Sequence, residues 1–440
     1  MKRTFLFALA VGLTLFYPGL TKAQDFSKAD QVFDSLDFHD KYMGTVMIAK
    51  NGEKVYSRSI GFADFEKGQK LNENTKFRIG SISKIFTSVL IMKAVEEGKL
   101  QLDQKLSDFY SQIPNADKIT VDMLLNHRSG IHNFTDDENY LGYSTEPKSE
   151  EEMIAIIQKG GSDFEPNSKA SYSNSNYILL TFILEKTYES SYGELLAKKV
   201  SQPLGLENTE VFESVYVSQN EAKSYAYNGT WKVENETHPS IPLGAGAISS
   251  TVSDLIVFIQ GLFDGKLISE SSLAKMMEIK EGYGRGMFTF PYFDRKAYGH
   301  TGGIDGFRSL LGYFPDDQVA IVTLSNGLNW NANEVTLTLL NANYGNEVKI
   351  PSFQTYALNP SDLDLYVGEY VTTQIPINFT FVKDGDTLVA KPSGQPDTRL
   401  EPIGKHQFEF SAVGAVFIFD PEKGELTFKQ GGGTFSYKKK

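Results

Sequence analysis

The sequence predicts a mixed α/β (α+β) domain, with an antiparallel sheet beside a helical subdomain, followed by a small all-β domain. Three observations carry that expectation. β-prone runs occur at residues 45–59 and again at 307–324, far apart in the chain. Between Leu102 and Gly265 the pattern is mostly helical, with long polar loops. A sheet built from distant parts of the chain with a helical insertion beside it satisfies both facts. After Ser361 short alternating runs separated by turn residues take over, the signature of an antiparallel sandwich or barrel.

In chain order, Met1–Ala23 reads as a secretory signal. Lys2 and Arg3 form a charged start, Phe5–Phe16 an apolar run, and Thr21-Lys22-Ala23 a cleavage site. The run is short for a bilayer span, and Pro18 and Gly19 interrupt it. The expectation is export to the periplasm or beyond, with no stable membrane span. Thr45–Lys50 and Glu53–Ser59 flank Asn51-Gly52, the strongest short hairpin signal. Ile82, Ile85, Phe86, Val89 and Leu90 recur at helical spacing, and Gly98 offers a left-handed cap. Helices are expected at Val121–Asn126, Glu150–Gln158, Tyr177–Glu185 and Ser253–Phe263, the last capped by Ser253 or Thr251, and a turn at Pro203–Leu206. Phe307–Phe314 and Val319–Leu324 flank a Pro315-Asp316-Asp317 turn, and Asn331–Asn343 closes the domain as a helix. The boundaries expected are a signal over 1–23, a first domain over 24–346, a linker over 347–361 and a β domain over 362–440. Within the last, Lys438–Lys440 reads as a solvated tail.

Composition excludes several classes. The chain has 440 residues and a net charge of −12, which argues against nucleic-acid binding. It has no cysteine, so disulfides, thiolate metal sites and a lipidated cysteine are excluded. Its six histidines show no metal-ligand spacing, and no metal or other cofactor is expected.

Three stretches carry chemistry. In Gly80-Ser81-Ile82-Ser83-Lys84, Ser81 and Lys84 share a face if the helix starts near Ser81. Free backbone N–H groups there would hold a developing anion, and the same field should lower the Lys84 pKa. That is what an activated serine nucleophile needs. The bland alternative is a serine N-cap followed by a solvated lysine. Tyr172-Ser173-Asn174 packs a phenol, a hydroxyl and an amide before a helix; alternatively Ser and Asn are caps and Tyr172 is half-buried. Gly299-His300-Thr301-Gly302-Gly303 allows close approach of backbone to a ligand, or is a glycine-rich turn with a surface histidine. His127 reads as a structural histidine at a helix end.

Ser-x-x-Lys, Tyr-x-Asn and His-Thr-Gly, in that order, resemble the serine penicillin-recognising enzymes. The Tyr-x-Asn form is similar to the class C β-lactamase branch, with its DD-peptidases, D-aminopeptidases and family VIII esterases. Val121–Ile131 and Pro242–Thr251 are similar to supporting segments of that family, and the resemblance covers roughly residues 40–343. It implies a β-lactamase/transpeptidase-like fold and an acyl-enzyme on Ser81. Lys84 would accept the serine proton or activate it electrostatically. Tyr172 would serve as a base, its phenol pKa lowered by Lys84. Asn174 would hydrogen-bond the substrate amide. His300 and Thr301 would line the strand edge, and the N–H groups of Ser81 and Gly303 would form an oxyanion hole. The substrate implied is a small peptide, amide or ester, with D-alanyl peptidoglycan fragments leading. A partly protonated His300 where β-lactamases carry lysine points away from β-lactamase activity. An esterase, and a non-catalytic scaffold that keeps the fold, are the other readings.

Overall fold

The structure is a computed structural model that describes residues 24–212, 220–353 and 356–440. The signal expected over 1–23 lies outside the described residues. A six-stranded antiparallel sheet forms from both ends of the first 346 residues. Its order is Phe288–Tyr292, Arg295–Ile304, Phe307–Phe314, Val319–Leu328, Tyr42–Lys50, Glu53–Ile60. The N-terminal hairpin joins the C-terminal strands through Tyr42–Lys50, with Ile48 opposite Ile321.

Strand periodicity sorts the side chains onto two cores. Val46 and Ile48 face helices Ser27–Phe38 and Ala332–Tyr344, whereas Met47 and Ala49 face the larger core on the other side. That larger core is centred on helix Ser83–Glu96, which is buried on nearly every side. Its Phe86 stacks on Phe258 of helix Val252–Phe263 with ring centroids 3.6 Å apart. The one-sided periodicity read from the sequence therefore understates its burial, since the polar residues between the apolar ones are also covered. Gly98 does adopt a left-handed conformation after the helix, with φ of 70°.

Most elements fall where the sequence places them, with informative departures. Helix Asn174–Tyr188 starts three residues before the expected Tyr177, bringing Asn174 into its first turn. Thr251, not Ser253, caps Val252–Phe263 by accepting from Asp254 N. Strand Val319–Leu328 runs four residues past Leu324, because Ser325, Gly327 and Leu328 stay paired with the first strand. The Pro203 segment ends a helical run rather than forming an isolated turn, with Gly205 left-handed after Gln202–Leu204.

The chain after Asn359 forms a closed barrel of eight antiparallel strands. Six match the alternating runs; Gly368–Val371 and Thr398–Gly404 complete the circle. Closure pairs Tyr370 with Lys439 and Val371 with Lys438, so these lysines are strand residues, not a solvated tail. The barrel has its own aromatic core around Phe379, Phe381, Phe417 and Phe419. Lys41, nearly buried, reaches across to Glu401 of the barrel at 2.6 Å.

Candidate active site

Ser81 lies in a short 3-10 turn, Gly80–Ile82, just before helix Ser83–Glu96. Glycine is required at 80. Its φ is +50°, and a Cβ there would come within 2.8 Å of the Gly303 backbone nitrogen. A Cβ on Gly302 would clash with the Ile79 carbonyl at 2.1 Å. These two glycines let the end of strand Arg295–Ile304 lie against the Ser81 turn. Ser81 and Gly303 thus line one cleft of about 820 Å³, together with Asn174, Ala245 and Arg308.

Lys84 is fully buried one turn into the helix. Its Nζ lies 3.0 Å from Ser81 Oγ, 2.8 Å from Asn174 Oδ1 and 2.7 Å from the Ala245 carbonyl. No carboxylate is among those contacts. Burial holds the Lys84 pKa well below its ordinary value. The direction matches the expectation; the cause is desolvation rather than the helix-terminal field. The carbonyl and carboxamide oxygens can only accept hydrogen bonds. They can take the two N–H bonds of a neutral amine, an arrangement that would leave its lone pair for the Ser81 hydroxyl.

Tyr172 is half-buried, and its hydroxyl donates to Ser81 Oγ at 2.8 Å. Its ring packs on His127 with centroids 4.5 Å apart. His127 is itself buried, and its Nδ1 accepts from Ser173 N at 3.2 Å, so it braces the Tyr172 segment as a structural histidine would. The Tyr172 phenol pKa is raised by burial, not lowered by Lys84. Desolvation dominates and no lowering by Lys84 offsets it, which corrects the expected effect.

Asn174 lines the cleft, yet both ends of its amide are engaged. Oδ1 accepts from Lys84 and Nδ2 donates to Thr135 Oγ1 at 3.1 Å. Its backbone N donates to Asn133 Oδ1 at 2.8 Å. Its amide oxygen is thus engaged by Lys84 and its amide nitrogen by Thr135.

His300 departs from expectation. Its ring is 2% exposed and packs beside Phe288, 4.2 Å between centroids, and Tyr172, 6.2 Å. It does not line the cleft. Burial pushes its pKa down to about 3, so it is neutral near neutrality rather than partly protonated. Thr301 points to the other face of the strand. It is exposed and lines a second cavity of about 310 Å³ that shares Gly303 and Arg308 with the cleft.

Two participants escape a reading by residue type. The Ala245 carbonyl is a backbone group and carries no such signal, although its segment Pro242–Thr251 is similar to a family segment. Arg308 looks like an ordinary outward-facing residue in an alternating strand. Among the described residues no cluster of His, Cys, Asp and Glu able to hold a metal occurs.

A serine hydroxyl set between a buried amine and a phenol, on this fold, defines a serine hydrolase of the penicillin-recognising class. The family model described as Beta-lactamase matches residues 30–346, and the chain belongs to that family. Among its relatives, penicillin-binding protein 4* of Bacillus subtilis is 25% identical over 91% of this chain and 96% of its own. A teichoic acid D-alanine hydrolase of Staphylococcus aureus is 28% identical over 68% of this chain and 77% of its own. Among solved structures, the octameric penicillin-binding protein homologue from Pyrococcus abyssi superposes with a TM-score of 0.66 and 24% identity, covering 93% of this chain and 99% of its own. The D-amino acid amidase of Ochrobactrum anthropi gives 0.65 and 23%, over 72% of this chain and 99% of its own.

Proposed function

We propose that the protein is an exported hydrolase that forms an acyl-enzyme on Ser81 and acts on D-alanyl peptides or related D-amino acid amides and esters. The observation that carries the site assignment is Ser81 Oγ held between Lys84 Nζ at 3.0 Å and the Tyr172 hydroxyl at 2.8 Å. The substrate class follows the chemistry named for the relatives: a teichoic acid D-alanine hydrolase, a D-amino acid amidase and penicillin-binding proteins. Export follows from the signal pattern of residues 1–23. No helix among the described residues is long and apolar enough to cross a membrane.

In this reading Ser81 Oγ attacks the scissile carbonyl carbon while its proton passes to the neutral Lys84 amine. The N–H groups of Ser81 and Gly303 hold the developing oxyanion; losing one such donor typically costs about a hundredfold or more in rate. Tyr172 gives its phenolic proton to the leaving amine or alkoxide, and the Lys84 ammonium restores it. The carbon–leaving-group bond breaks and the acyl-enzyme remains. Water then attacks the ester, one proton entering the Lys84–Tyr172 pair as its hydroxide adds. Breakdown expels the acid and returns that proton to Ser81. A neutral His300 supplies no fixed charge at the position where β-lactamases carry lysine, which disfavours the β-lactamase reading.

Labelling with a fluorophosphonate or a fluorescent penicillin, with Ser81→Ala as control, tests the site. A Ser81-dependent adduct is expected with at least one probe. Absence of both adducts would leave only the fold and favour a non-catalytic scaffold.

A further inference from the structure

The orientation of the Asn174 amide is set by residues outside the three motifs. The 3-10 turn Phe134–Asp136 and the two residues before it are stitched to the start of helix Asn174–Tyr188. Ser175 Oγ donates to the His132 carbonyl at 2.6 Å and accepts from Phe134 N at 3.2 Å. Asn133 Oδ1 accepts from Asn174 N at 2.8 Å, and Thr135 Oγ1 accepts from Asn174 Nδ2 at 3.1 Å. The directions follow from donor counts. A backbone N–H can only donate, so the Asn133 amide must turn its oxygen to Asn174 N and its nitrogen away from it. That nitrogen donates to Thr135 Oγ1 at 2.8 Å and to Asp136 Oδ1 at 2.9 Å. Thr135 Oγ1 is thereby an acceptor of two N–H bonds, one from Asn133 and one from Asn174. A planar carboxamide with its nitrogen on Thr135 has its oxygen on Lys84, 2.8 Å from Nζ.

The geometry points to Thr135 as a positioning residue that keeps the Asn174 amide oxygen on Lys84 during acyl transfer. This rests on the Ser81 reading above and adds a residue that the chemistry there does not use. When Lys84 takes the Ser81 proton it becomes an ammonium, whose N–H groups can only donate. Ser81 Oγ, the Ala245 carbonyl and Asn174 Oδ1 are its acceptors. An amide turned half round would set N–H against N–H, and the ammonium would lose one of them. Valine at 135 keeps the branched shape but offers no acceptor to hold the amide nitrogen. Serine keeps the acceptor. The other titratable groups around Lys84 are Tyr172, Tyr177, His127 and His300. Burial keeps each of them uncharged near neutrality.

The test is fluorophosphonate labelling of Ser81 on the full chain, with the limiting rate and the half-saturating probe concentration measured across pH. Thr135→Val should lower the limiting rate about tenfold, the scale of a hydrogen bond to a charged group, and leave half-saturation unchanged. Loss of the amide oxygen disfavours the ammonium, so the acid limb should also move to lower pH. Thr135→Ser should restore both the rate and the limb. A wild-type rate in Thr135→Val overturns the proposal. So does an equal loss in Thr135→Val and Thr135→Ser, or a rate loss with an unmoved limb, which marks a structural role. A raised half-saturation with the limiting rate kept overturns it too, because Thr135 would then be a substrate contact. Absence of Ser81-dependent labelling in the wild type removes the Ser81 reading itself, and this inference with it.

Discussion

Two buried basic side chains stand six residues apart, and their surroundings differ in one respect. Lys84 is 0% exposed and meets a carbonyl, a carboxamide and a hydroxyl. Arg78 is 1% exposed and meets carboxyl groups, Glu236 at 2.7 Å and Asp305 at 3.9 Å. A buried charge is tolerated when it is paired and otherwise drives its own neutralisation. Lys84, offered dipoles but no carboxylate, is held well below its ordinary pKa. Arg78, whose guanidinium also stacks on Phe212, ties strand Phe77–Arg78 to the segment after Val233 and to the Asp305 turn. One base is equipped for proton transfer and the other, as a paired cation, for holding the Ser81 turn in place.

The largest effect should come from removing the first of these, Lys84. Lys84→Ala should slow acylation by roughly a thousandfold or more, the scale of a lost general base, as read by stopped-flow with a chromogenic ester. Retention of wild-type rates would break the comparison. Next comes giving Lys84 the surroundings of Arg78. Asn174→Asp puts a carboxylate 2.8 Å from Nζ, which favours the ammonium and raises the lysine pKa. The acidic limb of the acylation profile should then move to higher pH. On the acid side of that limb, a displacement of roughly one pH unit means about a tenfold loss of rate. An unmoved limb would mean that Lys84 is not the titrating base.

On the other side of the comparison the effects concern stability. Arg78→Ala leaves Glu236 and Asp305 buried without their cation and should cost about 3–5 kcal/mol, measured by urea unfolding. The smallest effect belongs to Glu236. Burial outweighs Arg78 and pushes its carboxyl from 4.5 up to about 7. The folded state therefore holds this proton more tightly than the unfolded chain. Its contribution is fully present below about 4.5 and is lost as pH rises through about 7. Glu236→Gln should flatten the pH dependence of Tm across that window; a profile identical to the wild type would show that Glu236 does not titrate there.

Much of this is legible in the sequence for identifiable reasons. Ser81 and Lys84 are one helical turn apart, so spacing alone brings them together, as it does the Asn51-Gly52 hairpin. Tyr172 lies 91 positions from Ser81, and only the family resemblance joins them. The cause of the low Lys84 pKa is not legible, because periodicity suggests one buried face whereas the fold covers nearly the whole helix. His300 is expected at the strand edge, but strand alternation turns it inward onto Phe288 and sends Thr301 to the opposite face. The barrel is visible as alternation. Its closure is not, because Thr398–Gly404 carries Pro402 and buries one residue, and Gly368–Val371 is only four residues long.

The neutral state of Lys84 is the point on which the chemistry turns, and it can be observed directly. In protein labelled with carbon-13 at the lysine ε position, the signal lost in Lys84→Ala identifies this residue. At neutral pH it should already have the chemical shift of a free amine, while the exposed lysines show ammonium shifts. A Lys84 signal that stays in the ammonium position until it titrates alongside the surface lysines would contradict the assignment of Lys84 as the base for Ser81.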